Sequence, residues 1–124
     1  MPNITEDTSC SIAPYFKIHA GKLAEFKKLC ARFVEQTKPE PGCLYYGFTF
    51  DGDTGYCREA YVDAEAVMAH VENVTSLLAQ AAKISDIVRL EIHGPEKEIA
   101  KMRGPLSGLK AQFFVVECAF RKEF

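Results

Sequence analysis

The chain contains no tryptophan, and its five cysteines, at positions 10, 30, 43, 57 and 118, include no C-x-x-C pair. An odd number of widely spaced cysteines excludes a regular disulfide frame and argues against a zinc site; it reads as free thiols in a reducing, cytoplasmic setting. No charge of one sign dominates. Fifteen Lys and Arg against seventeen Asp and Glu leave a net charge of −2, which removes the electrostatic case for nucleic acid. No apolar run approaches the roughly 20 residues of a membrane helix, and the stretch Met1 to Ser11 carries two acids and no Lys or Arg, unlike a signal peptide. Internal repeats, phosphate-cradling glycine loops, dinucleotide fingerprints and a Ser-His-Asp arrangement are all missing. The histidines at 19, 70 and 93 lack the short spacing of metal ligands, so no metal site is expected.

What is present is an ordinary globular composition: 124 residues, 48% hydrophobic and 26% charged. That is enough for one domain with its own core. Residues 1–10 read as a flexible polar lead-in and 11–124 as the single domain. Ser11 to His19 alternates as a strand, with Pro14 pointing to an edge or entry position. Lys22 to Thr37 has helical period, and Lys38-Pro39-Glu40-Pro41-Gly42 stops it. Cys43 to Phe50 and Tyr56 to Val62 form a hairpin around Asp51-Gly52-Asp53-Thr54-Gly55. Asp63 caps a long amphipathic helix expected to run from Ala64 to about Ser85. Asp86 to His93 is a further strand, Glu96 to Met102 a short helix, and Ala111 to Phe120 a closing strand.

The order βαββαβ is that of the ferredoxin-like α+β fold, with an extra short helix and C-terminal strand added. Both long helices then cover one face of an antiparallel sheet. Tyr45, Cys57, Tyr61 and one side of Phe113 to Phe120 are expected on the other face. An apolar second face calls for a cover, and a homodimer packed sheet to sheet supplies it.

Several stretches carry a resemblance. Glu40-Pro41-Gly42-Cys43-Leu44-x-Tyr46 is similar to the E-P-G-C-L-x-Y stretch of the antibiotic biosynthesis monooxygenase family. Glu59-x-Tyr61-x-Asp63-x-Glu65-Ala66, followed by His70, resembles that family's acid–aromatic–histidine stretch, and Gly21 to Phe26 resembles the opening of its first helix. The resemblance implies a dimeric α+β barrel. It also implies an activity among cofactor-free quinol and anthrone monooxygenases, haem-degrading oxygenases and small isomerases. The missing tryptophan, with Tyr61 in its usual place, argues against haem degradation.

His70 is the leading candidate for chemistry. On a helical wheel it lies about 60° from Val67, inside the apolar stripe, so it faces the sheet rather than water. Cofactor-free oxygenation needs a base to deprotonate an aromatic diol or anthrone, and donors to steady the oxyanion in a dry pocket. His70 suits the first role, and Tyr61, Asn73 or Arg58 the second. Phe16, Phe48, Phe50, Leu77 and Phe114 are the expected apolar walls, with Arg58, for an aromatic or quinol substrate. Two alternatives use the same residues: a non-catalytic homodimer holding an apolar small molecule such as a fatty acid or quinone, and a small-molecule isomerase. Glu59 is either a buried acid or a salt-bridge partner at the dimer interface.

Overall fold

The structure is a computed structural model and describes residues 3–123. Its strands are β1 (Asn3–Thr5), β2 (Ser11–Ile18), β3 (Cys43–Asp51), β4 (Thr54–Tyr61), β5 (Ser85–Gly94), β6 (Gln112–Val115) and β7 (Arg121–Glu123). Its helices are α1 (Leu23–Thr37), α2 (Ala64–Asn73), α3 (Thr75–Ala81) and α4 (Glu96–Arg103), followed by a 3₁₀ turn at Ser107–Leu109. Five strands form one sheet in the order β3-β4-β2-β5-β6, in which only β6 runs parallel to its neighbour. The first four strands have the ferredoxin-like order, and the fold is α+β.

Several details depart from the sequence reading. The long helix is two helices, broken at Val74, whose backbone (φ −102°, ψ 11°) leaves the helical range. The closing strand is shorter, with β6 ending at Val115 and β7 pairing instead with β1. Cys10, placed by sequence at the end of a flexible lead-in, is fully buried and exchanges two backbone hydrogen bonds with Tyr61. Cys57 and Tyr61 face the helices, not the outer side of the sheet. The outer side instead carries Tyr15 stacked on Tyr56 at 4.8 Å and Arg58 lying over Tyr45 at 5.6 Å.

Pro14 is the most informative departure, because it lies in the central strand rather than at an edge. Even-numbered positions along this stretch aim their N–H groups at β4: Cys10 donates to Tyr61 O at 2.9 Å and Ile18 to Asp53 O at 2.8 Å. Pro14 is the even position with no N–H to give. The ladder between β2 and β4 stops at Tyr15–Tyr56 and resumes only at the Cys10–Tyr61 bridge. A proline thus opens the middle of the sheet.

The core falls into two clusters. One gathers Phe16, Phe26, Phe33 and Leu77 under α1 and α3; the other gathers Tyr61, Val67, Ile92 and Met102 under α2 and α4. The start of α2 is fixed from two sides. Asp63 accepts the Ala66 N–H at 2.8 Å, and Glu98 on α4 accepts the Ala64 N–H at 2.9 Å, which completes the N-terminal cap across the fold.

Gly42 shows why the turn before β3 needs a glycine. A Cβ there would lie 2.5 Å from Ala66 Cβ on α2, well inside van der Waals contact. Gly42→Ala is therefore expected to cost about 1–3 kcal/mol, read as a lower urea midpoint. Pairing it with Ala66→Gly should recover most of that loss.

Candidate active site

A cavity of about 90 Å³ lies at the seam between the two core clusters. That is room for several waters or a small organic group. Most of its wall is apolar: Ile12, Pro14 and Phe16 on β2, Phe48 on β3, Val71 and Val74 on the helices. The polar atoms are gathered at one place. β4 supplies Cys57 and Glu59, β3 supplies Tyr46, and α2 supplies His70. The opening that Pro14 makes in the sheet lies beside these β4 residues.

His70 is 3% exposed and held in one orientation. Its Nδ1 donates to Glu40 Oε2 at 2.8 Å. Asn73, one turn further along, donates to the same oxygen at 2.7 Å and to Gln36 O at 3.0 Å, while Gln36 returns a bond to Asn73 O. A carboxylate acceptor at Nδ1 sets the tautomer, leaving Nε2 with a free lone pair. Nε2 faces Glu59 Oε1 at 3.5 Å. The Tyr46 and Tyr61 rings flank the imidazole, each with its centroid at 5.1 Å.

Glu59 is 5% exposed. Its Oε1 accepts a 2.6 Å hydrogen bond from the Tyr61 hydroxyl. Burial pushes its carboxyl up to about 7, outweighing the Cys57 thiol and Tyr61 hydroxyl that favour the anion. Burial also lowers the His70 pKa, against the opposing pull of Glu40. The result is a neutral imidazole beside a carboxyl that holds its proton up to neutral pH, which is a base and an acid in one dry place. The Cys57 thiol and the Tyr46 and Tyr61 phenols are all raised by burial and keep their protons. Among the described residues no three His, Cys or acidic side chains are grouped to hold a metal ion.

The structure brings some of the expected residues together and scatters others. His70, Tyr61 and Asn73 are contiguous, although Asn73 acts on Glu40 rather than on the cavity. Phe16 and Phe48 line the wall. Phe50 packs against Phe26 at 6.1 Å, and Leu77 is buried in the α1–α3 core, so neither reaches the cavity. Arg58 lies on the outer face over Tyr45, because neighbours along a strand alternate sides and Glu59 points inward. Phe114 stacks on His93 at 4.7 Å. Glu40 and Tyr46 are not among the residues that sequence reasoning selects for the site, although both stand in the family-like stretch. The one sequence signal for Glu40 was its place in the E-P-G-C-L stretch.

This fold has relatives. The family model described as antibiotic biosynthesis monooxygenase matches residues 11–82, more than half of the chain. The chain belongs to the antibiotic biosynthesis monooxygenase family. Within that family's fold it is similar to MupZ from Pseudomonas fluorescens, at 47% identity and a TM-score of 0.89, covering 93% of this chain and 95% of that one. It shares the fold of SnoaB, a cofactor-independent oxygenase from Streptomyces nogalater, at 13% identity and a TM-score of 0.62, over 69% of this chain and 91% of that one. A conserved protein from Methanosarcina mazei shares it as well, at 20% identity and a TM-score of 0.62, over 68% and 88%. No protein of curated function matches.

The buried carboxyl has a consequence for stability. Its native pKa, about 7, lies above its ordinary 4.5, so the folded protein binds a proton that the unfolded chain has lost. Stability therefore falls as pH rises through this interval, by on the order of 3 kcal/mol in all. His70, shifted below 6.5, works the opposite way, adding stability as pH rises toward 6.5. Above pH 6.5 the Glu59 carboxyl has about 1 kcal/mol left to lose, partly offset by His70 until roughly a pH unit higher. Urea unfolding from pH 6.5 to 8.5 should show wild type losing about 1 kcal/mol more than Glu59→Gln over the same interval.

Proposed function

We propose that this protein is a cofactor-independent enzyme that transfers protons within an apolar cavity, and that it activates a small aromatic or quinol substrate for reaction with O₂. The observation that carries this reading is the fixed imidazole. Glu40 occupies His70 Nδ1 at 2.8 Å, so Nε2 is the free base, and it sits in a wall otherwise made of hydrocarbon, tyrosine and a protonated carboxyl. In an anthrone-type substrate, Nε2 removes a proton from the ring system, and the electron-rich anion that results passes its electrons to O₂. One oxygen atom bonds to the substrate carbon. The other leaves as water, taking both hydrogens of the original CH₂. Glu59, its carboxyl held by the Tyr61 hydroxyl, supplies the proton that the oxygen anion needs. The fold shared with a cofactor-independent oxygenase from Streptomyces nogalater supports the same reading.

A second reading, isomerisation without O₂, is favoured by one observation. An acid and a base 3.5 Å apart can take a proton from one carbon and return it to another of the same molecule. We also propose that the protein is a cytoplasmic homodimer, its outer sheet faces meeting through Tyr15, Tyr45 and Tyr56. Sedimentation at twice the chain mass checks that assembly.

Oxygen uptake with a panel of hydroquinones and anthrones tests the chemistry. His70→Ala should lower kcat/KM at least about 100-fold, and Glu40→Gln, which frees the ring to turn, about 10- to 100-fold. Equal rates in wild type and His70→Ala would remove the imidazole from the reaction. Product formed without oxygen uptake would select isomerisation.

A further inference from the structure

The cavity is polar at one end and apolar at the other, and this polarity orients whatever enters. At the inner end Glu59, His70, Cys57 and Tyr46 are held among fully or largely buried neighbours. At the outer end the lining residues are Ile87, 51% exposed, and Leu109, 42% exposed, with Leu78 and Leu90 half-buried beside them. Ile87 reaches the mouth because β5 carries a bulge where it passes Tyr15 and Phe16, which also leaves Val88 exposed. The 3₁₀ turn after α4 brings Leu109 to the same place. Exposed aliphatic side chains at a mouth are a cost in the empty protein, and covering them is a gain for a ligand that brings hydrocarbon there.

The inner end carries a second constraint. No lysine or arginine lines the cavity. Arg58, between the lining residues Cys57 and Glu59, is turned to the opposite face of the sheet. A buried anion with no cation to pair it is strongly disfavoured, the more so beside the carboxyl of Glu59. What the inner end does offer is a lone pair on His70 and hydroxyl and carboxyl groups that both give and accept hydrogen bonds.

We infer that the cavity selects a neutral amphiphile, a phenol, quinol or ketone head bearing an extended hydrocarbon tail, and takes it head first with the tail leaving past Ile87 and Leu109. This rests on the proposed catalytic reading and narrows its substrate class. It sets aside a fatty acid bound by its carboxylate. The head meets the acid and base, and the tail accounts for the greasy mouth.

Binding of three matched series tests it: 1-alkanols, alkanoates and alkylammonium ions of six to twelve carbons, titrated at pH 7 by calorimetry. Alkanol affinity should rise about fourfold per methylene until the tail clears the mouth. Alkanoates of equal length should bind at least tenfold more weakly. Leu109→Lys should weaken the long alkanols several-fold and leave the six-carbon one unchanged, because only a long tail reaches it. Alkanoates or alkylammonium ions that bind as tightly as alkanols would overturn the inference, as would a Leu109→Lys effect independent of length. These outcomes separate from those of the catalytic reading. Alkanols bound as described by a protein that turns over no quinol or anthrone would sink catalysis alone; turnover without discrimination among the series would sink this inference alone.

Discussion

The contact between His70 Nδ1 and Glu40 Oε2 joins the turn that ends α1 to the helix that follows the hairpin, and the site is organised around it. Glu40 stands in a proline-flanked turn just before Gly42, and that turn reaches α2 only because Gly42 has no side chain to meet Ala66. Gln36 and Asn73 tie the end of α1 to the end of α2. With Nδ1 committed, the ring cannot turn, and its other nitrogen has one direction in which to look. That direction is the buried carboxyl of Glu59. A single hydrogen bond thus fixes the tautomer, the direction of Nε2 and its spacing from Glu59.

The space they look into has its own cause. A sheet whose central strands are fully paired leaves no gap between them. Pro14 withholds one donor at the point where β2 passes Cys57 and Glu59, and the ladder opens there. The two hydrophobic clusters close above and below but do not merge, and the cavity is what lies between them. Backbone chemistry at one residue and the packing of two buried clusters therefore meet at the same spot.

Much of this was legible in the sequence because it depends on periodicity. The inward turn of His70 follows from its place on the stripe shared with Val67 and Val74, and the strand order follows from the alternation of patterns. The residues that escaped are those whose placement depends on the chain's path through a turn or on a local irregularity. Glu40 belongs to no periodic segment, so no wheel or alternation could aim it. Arg58 and Glu59 alternate correctly, but which of the two faced the helices depended on the register of the hairpin, and a shift of one residue exchanges them. Reading Cys57 and Tyr61 as outward was that same one-residue ambiguity. Pro14 was taken at its statistical value, as an edge residue, whereas here the missing donor is a feature of the strand at the centre.

The wall of the cavity also includes the Cys57 sulfur, and burial holds its proton in place far above neutral pH. Thiolates, not thiols, are the nucleophiles and the readily oxidised form. In the proposed reaction, partially reduced oxygen would meet a sulfur in its least reactive state. The surface thiol of Cys118, exposed to solvent, is where oxidative wear would begin instead, outside the chamber.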